Sequence, residues 1–259
     1  MSHDLMRRPK TEFDVILTTH NHIELTIECL NCLYRHTSIP FGLIVIDDST
    51  DLTPQWFDTF QKSHDNVKFI RPSESLVNGN QCFRLGAEQS NSEFVVSLVN
   101  SARVEPEWYN TPLQLLQQNP KVGLVGIKLL SPNGIIWHAG IGFNNHIPFH
   151  IGSGAPGHQF SHIRPALCVN YSVGFFRRQA LLDSLDEKTY IGWRSFEDTD
   201  VCVSLRDKGW SIMYCGMASA YHIESPTRLE GDQMQFWKEY NENLRRFIAK
   251  WQMRDELFR

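Results

Sequence analysis

Residues 42–47, Gly-Leu-Ile-Val-Ile-Asp, form an unbroken apolar run that ends in an acid. Six residues are too few for a buried helix, and a run without alternation leaves no face for water. The segment therefore reads as a strand covered on both sides. Its neighbours repeat this signal in alternation with helical patterns. Asp14 to Thr18 is a short β-rich run. From His22 to about His36, Ile23, Ile27, Leu30 and Tyr34 share one helical face, with Asn21 and Glu24 spaced as a capping box. Thr53 followed by Pro54 opens a helix to about His64. Val67 to Ile70, Gln81 to Gln89, Phe94 to Val99, Trp108 to Gln118 and Val122 to Lys128 continue the alternation. Such a chain builds a mostly parallel sheet wound on both faces. Ligands of these sheets bind at the carboxyl ends of the strands. Three of those ends are polar here: Thr18 to Asn21, Asp47 to Asp51, and Val99 to Arg103.

The second half has another texture. Ser131-Pro-Asn-Gly134 is a turn, and Ile135 to Phe143 reads as a hairpin strand. Asn144 to Arg164 is rich in glycine and histidine without a period, a loop placed to cover a site. Leu167 to Phe176 is strand-like. Phe196 to Lys208 reads as a helix stopped by Gly209, with a strand at Ser211 to Tyr214. Gln233 to Trp251 is amphipathic, with Trp237, Tyr240, Leu244, Phe247, Ile248 and Trp251 on one side.

Composition narrows the functions available. Apolar residues make up 41% of the 259 and charged residues 21%, a balance that excludes disorder. A formal charge of -4 offers no basic field for nucleic-acid phosphates. No apolar stretch is long enough to cross a bilayer, and Met1 to Lys10 lacks the core of a secretion signal. Six scattered cysteines fit reduced, packed thiols in a cytoplasmic protein, and the Cys29/Cys32 pair falls inside a helix. Histidines 146, 150, 158 and 162 lie among a proline and several glycines, which would not align them as zinc ligands. Basic side chains at Lys238, Arg245, Arg246 and Lys250 can meet anionic lipid, although intervening acids dilute them.

Four stretches together resemble the family 2 glycosyltransferases of the GT-A fold. They are Val15-Ile-Leu-Thr-Thr-His-Asn21, Ile44-Val-Ile-Asp-Asp-Ser-Thr-Asp51, Asn133-Gly-Ile-Ile-Trp-His-Ala-Gly140, and Phe196-Glu-Asp-Thr-Asp-Val-Cys-Val-Ser-Leu-Arg-Asp-Lys-Gly-Trp210 with Ala220-Tyr-His-Ile-Glu-Ser225 after it. Singly they say little; their order and spacing are the signal. The resemblance implies inverting sugar transfer from a nucleotide sugar, of the UDP or dTDP type, to a glycan or lipid-linked glycan. It implies one domain over 1–259, with a nucleotide-binding half at 11–130, an acceptor half at 131–232 and a C-terminal helix at 233–259.

Carried onto this sequence, the resemblance makes Asp198 the general base and Glu197 its companion. It places Thr18, Thr19, His20, Asn21, Asp47, Asp48, Arg84, Asn100, Ser101 and Arg103 against the nucleotide sugar, and Trp193 and His138 on the acceptor side. Members of the family carry an Asp-x-Asp motif that holds Mn2+ or Mg2+ at the diphosphate. Here Leu98-Val-Asn-Ser-Ala-Arg-Val-Glu-Pro-Glu-Trp108 puts Asn100, Ser101 and Ala102 in that place. Neutral oxygens bind such ions weakly without carboxylate charge beside them. Three readings stay open: a cation such as Arg103 replaces the metal, a metal binds through His222 and the diphosphate, or the chain is a nucleotide-sugar-binding module that has lost catalysis. No organic cofactor is implied. A nucleotidyltransferase would need a basic, glycine-rich loop after the first strand, and Thr18 to Asn21 is not one.

Overall fold

The computed structural model describes residues 11–73, 78–192, 195–223 and 232–258. Its sheet is the mixed, mostly parallel one that the alternation demands. Strands β1 (Phe13–Thr19), β2 (Phe41–Asp47), β3 (Val67–Ile70) and β4 (Phe94–Val99) run parallel, with β1 between β2 and β4. Strand β11 (Val173–Arg177) then pairs antiparallel with both β4 and β6 (Val122–Leu130). Strand β12 (Ser211–His222) returns parallel to β6, and its far end pairs with β5 (Ala102–Val104).

Side-chain alternation along the strands sorts the core into two clusters, one on each face. Val15, Leu17, Leu43 and Val45 face α1 (Ile23–His36), α2 (Thr53–Phe60) and α4 (Asn110–Gln118). Ile16, Ile44 and Ile46 face α3 (Gly79–Gln89), α5 (Arg178–Ser184) and α6 (Glu197–Asp207). The last helix, α7 (Gln233–Trp251), buries Phe247 and Trp251 in the second cluster. Helix α3 lies so close to β1 that a Cβ on Gly86 would stand 2.3 Å from Ile16 Cγ2. Gly86→Ala is therefore expected to lose about 2 kcal/mol of stability in a denaturant titration, as the helix backs away from the strand.

Several local expectations are corrected. Asn21 does not cap α1: both Asn21 and His22 sit in the left-handed region, at φ 57° each. The capping acceptor comes from the next loop, where Asp51 Oδ2 takes the Ile23 N–H at 3.2 Å. Asn21 instead receives the Thr50 N–H at 2.8 Å, tying the β1 and β2 ends together. The strand expected over 135–143 is two, β7 (Ile136–His138) and β8 (Ile141–Asn144), separated at Gly140 with φ 111°. They pair with different partners, β7 with β6 and β8 with β9 (Ile147–His150). The loop expected from Asn144 to Arg164 thus contains β9 and most of β10 (Ile163–Pro165). The strand expected from Ser211 to Tyr214 runs on to His222, because β6 and β5 supply ladder partners from Ser219 onward, past an irregularity between Cys215 and Ser219.

Candidate active site

The carboxyl ends of β1 and β4 meet the start of α6 around one cavity of about 780 Å³. Thr18, Thr19 and His20 line it from β1, with Asn100 and Ser101 from β4 and Glu197, Asp198 and Thr199 from α6. Trp137, His150, Asn170 and His222 contribute from the middle of the chain, and Trp237, Glu239 and Tyr240 from α7. Residues far apart in sequence thus share one pocket, at the end of the sheet where the polar strand termini lie.

Helix α6 is aimed into this cavity by a strained entry. Ser195 and Phe196 hold φ of 70° and 79°, uncommon for residues with side chains. Packing offsets the cost: Phe196 is buried against Tyr240 at 5.1 Å and Phe247 at 5.7 Å between ring centroids. The next two residues are the two acids, which explains how a buried phenylalanine fixes their position.

Asp198 is held by three donors. Asn170 Nδ2 donates to Oδ2 at 2.7 Å, and the Thr199 N–H and hydroxyl donate to Oδ1 at 2.7 and 3.3 Å. Asn170 is itself fixed. Its Oδ1 takes the Ser172 N–H at 2.8 Å, and its own N–H donates to His138 Nε2 at 2.9 Å. Sequence reasoning missed Asn170, which falls inside the strand-like run expected from Leu167 to Phe176, whereas the strand begins only at Val173. Asn170→Ala is expected to lower turnover about tenfold to a hundredfold with donor KM unchanged, because Asp198 loses its side-chain guide. Steady-state kinetics with the donor varied would check this.

Glu197 is perturbed by its surroundings. Burial pushes its carboxyl up to about 8, its own backbone N–H pulls the other way, and Asp198 and Asp200 add to the rise. The group is a neutral acid at pH 7, able to donate a hydrogen bond. The sign of the linked stability follows. Below an ordinary glutamate value both states are protonated, and the native state keeps its full advantage. Between that value and about 8 the unfolded chain ionises while the native one stays protonated, so stability falls as pH rises. The full displacement would correspond to about 4–5 kcal/mol, and solvent access to the cavity leaves about 2 kcal/mol as the expected size. Urea titrations at pH 5 and 8 should show Glu197→Gln flattening this slope.

The other expected site residues divide. His138 is fully buried; its Nε2 accepts from Gly140 N–H at 3.1 Å as well as from Asn170, so its proton sits on Nδ1, 3.2 Å from His150 Nδ1. Burial, then the neighbouring His150, Arg164 and His222, hold His138 well below the usual histidine range. It braces the wall, while Trp137 and His150 face the cavity. Asp47 is buried at the end of β2, accepting from Thr19 Oγ1 at 2.8 Å and facing Arg71 at 3.4 Å. Asp48 follows it, half-buried, with its N–H on Thr19 O at 3.1 Å and its carbonyl 3.0 Å from His20 Nδ1. Neither acid is among the lining residues, and Asn21 acts as the brace between loops described above. Arg84 is bound to Glu187 and to the Leu182 and Leu185 carbonyls, and Arg103 is paired with Glu28. Both guanidiniums are thereby committed outside the cavity lining. Trp193 lies outside the described residues.

The metal corner holds neutral donors. Asn100 Nδ2 donates to Asn21 O and to Thr26 Oγ1, each at 3.1 Å, and Ser101 Oγ lies 3.5 Å from His222 Nε2. Among the described residues no three His, Cys, Asp or Glu side chains come together as ligands. Among the described residues, this donor set does not fit a divalent ion held by the chain's own groups.

Comparison with known proteins agrees with this architecture. Residues 14–163, more than half of the chain, match Glycosyl transferase family 2. The chain is 26% identical to the uncharacterized protein y4gI of Sinorhizobium fredii over 93% of its own length and 28% of that protein. It is 28% identical to the O-antigen biosynthesis protein RfbC of Myxococcus xanthus over 90% of its own length and 19% of that protein. The chain therefore spans less than a third of either curated relative. Among solved structures, GalNAc-T7 with UDP, GalNAc and Mn2+ superposes with a TM-score of 0.68 at 11% identity, over 83% of this chain and 44% of that one. At that identity the likeness shows the fold, which is GT-A. Fold, ordered motifs and family match converge, and the chain belongs to glycosyl transferase family 2.

Proposed function

We propose that this chain moves a sugar from a UDP- or dTDP-linked donor to a hydroxyl of a glycan or lipid-linked glycan, with inversion at the anomeric carbon. The observation that carries the reading is the meeting of two polar strand ends with the fixed carboxylate of Asp198 in one cavity. A base must take the acceptor proton as its oxygen attacks, and Asp198 is the acid positioned for it. The acceptor oxygen forms a bond to the anomeric carbon as the bond to the diphosphate oxygen breaks, and the proton passes to Asp198. Glu197, a neutral acid at pH 7, donates to a sugar or acceptor hydroxyl. His222 and Ser101 meet the departing diphosphate. Residues 1–259 would act as one catalytic unit, since elements from both halves of the chain, from Thr18 to Tyr240, line the cavity. Reduced, packed cysteines suit a cytoplasmic reaction.

The test is release of nucleoside diphosphate from a panel of UDP- and dTDP-sugars, with and without oligosaccharide acceptors. The product's anomeric configuration is then read by NMR. Release that depends on an acceptor supports transfer. A second reading, a binding module without turnover, is favoured by Asn100 and Ser101 where acids are expected. Tight UDP binding without any release across the panel would select it.

A further inference from the structure

Helix α7 brings two aromatic side chains to the cavity, Trp237 and Tyr240, of which Tyr240 also packs against the core. Phe236, Phe247 and Trp251 are buried and anchor the helix. Trp237, on the face that the amphipathic pattern assigns to packing, is instead 56% exposed and lines the cavity. Tyr240, one turn on, stands edge-on to it at 5.5 Å between centroids and also touches Phe196, the residue before the two acids. Between them Glu239 reaches toward Gly192, where a Cβ would stand 2.7 Å from its Oε2. Gly192 holds φ 69° and leaves that carboxylate room; Gln235 Nε2 donates to the other oxygen at 2.7 Å.

From this juxtaposition we propose an acceptor subsite: Trp237 and Tyr240 stack against a pyranose ring, and Glu239 accepts from its hydroxyls. The assignment of the occupant as acceptor rests on sugar transfer as proposed above. A pyranose presents axial C–H bonds on one face and hydroxyls round its edge, which suits an aromatic face beside a carboxylate. A lipid surface fits less well. Three of the four basic side chains of α7 are spent within the chain, Arg245 and Arg246 on Glu242, and Lys250 on Asp186 and Asp200.

The experiment is saturation-transfer NMR on the full chain with chitotetraose, mannotriose and maltotriose, beside calorimetry with UDP. Wild-type protein should saturate the ring protons of at least one oligosaccharide. Trp237→Ala should weaken that binding about tenfold and Trp237→Phe by less than about threefold, with UDP affinity unchanged in both. No oligosaccharide signal in the wild type, or an equal signal in Trp237→Ala, overturns the subsite. Unaltered oligosaccharide binding with lost binding to phosphatidylglycerol vesicles also overturns it, and gives the indole to a membrane. If UDP fails to bind while oligosaccharide binding depends on Trp237, the donor reading falls and the subsite stands.

Discussion

Asp198→Asn is expected to lower transfer about a thousandfold while leaving donor affinity within about threefold. The amide cannot take the acceptor proton. It can keep the Thr199 N–H through its oxygen, at 2.7 Å in the native side chain. Its nitrogen then faces Asn170 Nδ2, donor against donor, where a carboxylate oxygen accepted at 2.7 Å. The fold should survive, since Asp198 is half-buried and its bonds are local to the cavity wall. Initial rates with saturating acceptor, paired with calorimetry for the nucleotide, separate the chemical step from binding. A variant that keeps more than about a tenth of wild-type turnover would remove Asp198 from the base role.

The second large effect lies two residues on. Asp200 is fully buried and takes three bonds, from Tyr190 Oη at 2.9 Å, Trp251 Nε1 at 2.7 Å and Lys250 Nζ at 2.8 Å. Burial raises its carboxyl above the ordinary value despite Lys250 and the two hydrogen bonds that favour the anion. Two of the three donors belong to α7, so this acid joins the last helix to the helix that carries Asp198. Asp200→Ala is expected to cost about 3–5 kcal/mol in guanidinium unfolding, because the buried donors lose their partner. Asp200→Asn should cost less, as its oxygen still accepts from Trp251 and Tyr190. Activity should fall with stability in the alanine variant, since Phe196 loses the packing that directs α6.

The alternating first half was legible because both-face burial leaves a plain mark, as in Gly42 to Asp47. Polar strand ends likewise marked the sheet edge of the cavity, from Thr18 to His20 and at Ser101. What escaped was set by contacts across long separations. Asp51 rather than Asn21 caps α1 because the β2 loop folds back over the β1 end, a contact that no local pattern encodes. Resemblance places Arg84 and Arg103 against the nucleotide sugar, and their ion pairs with Glu187 and Glu28 join residues too far apart in sequence for any local pattern to show. Asn170 and Trp237 carried no signal of their own. One fell inside an expected strand and the other looked like core, and only the path of α6 and α7 brings both to the cavity.

The wall contributed by Trp237 to Tyr240 bears on the order in which a nascent chain matures. The parallel layers from β1 to β4 draw on residues 13–99, all upstream of α7, and can assemble before it during synthesis. Closure of the cavity needs α7, some two hundred residues downstream of Thr18, and contacts of such separation form late. A ribosome-bound chain stalled before Gln233 would thus present the strand ends of the pocket with its α7 wall still unbuilt.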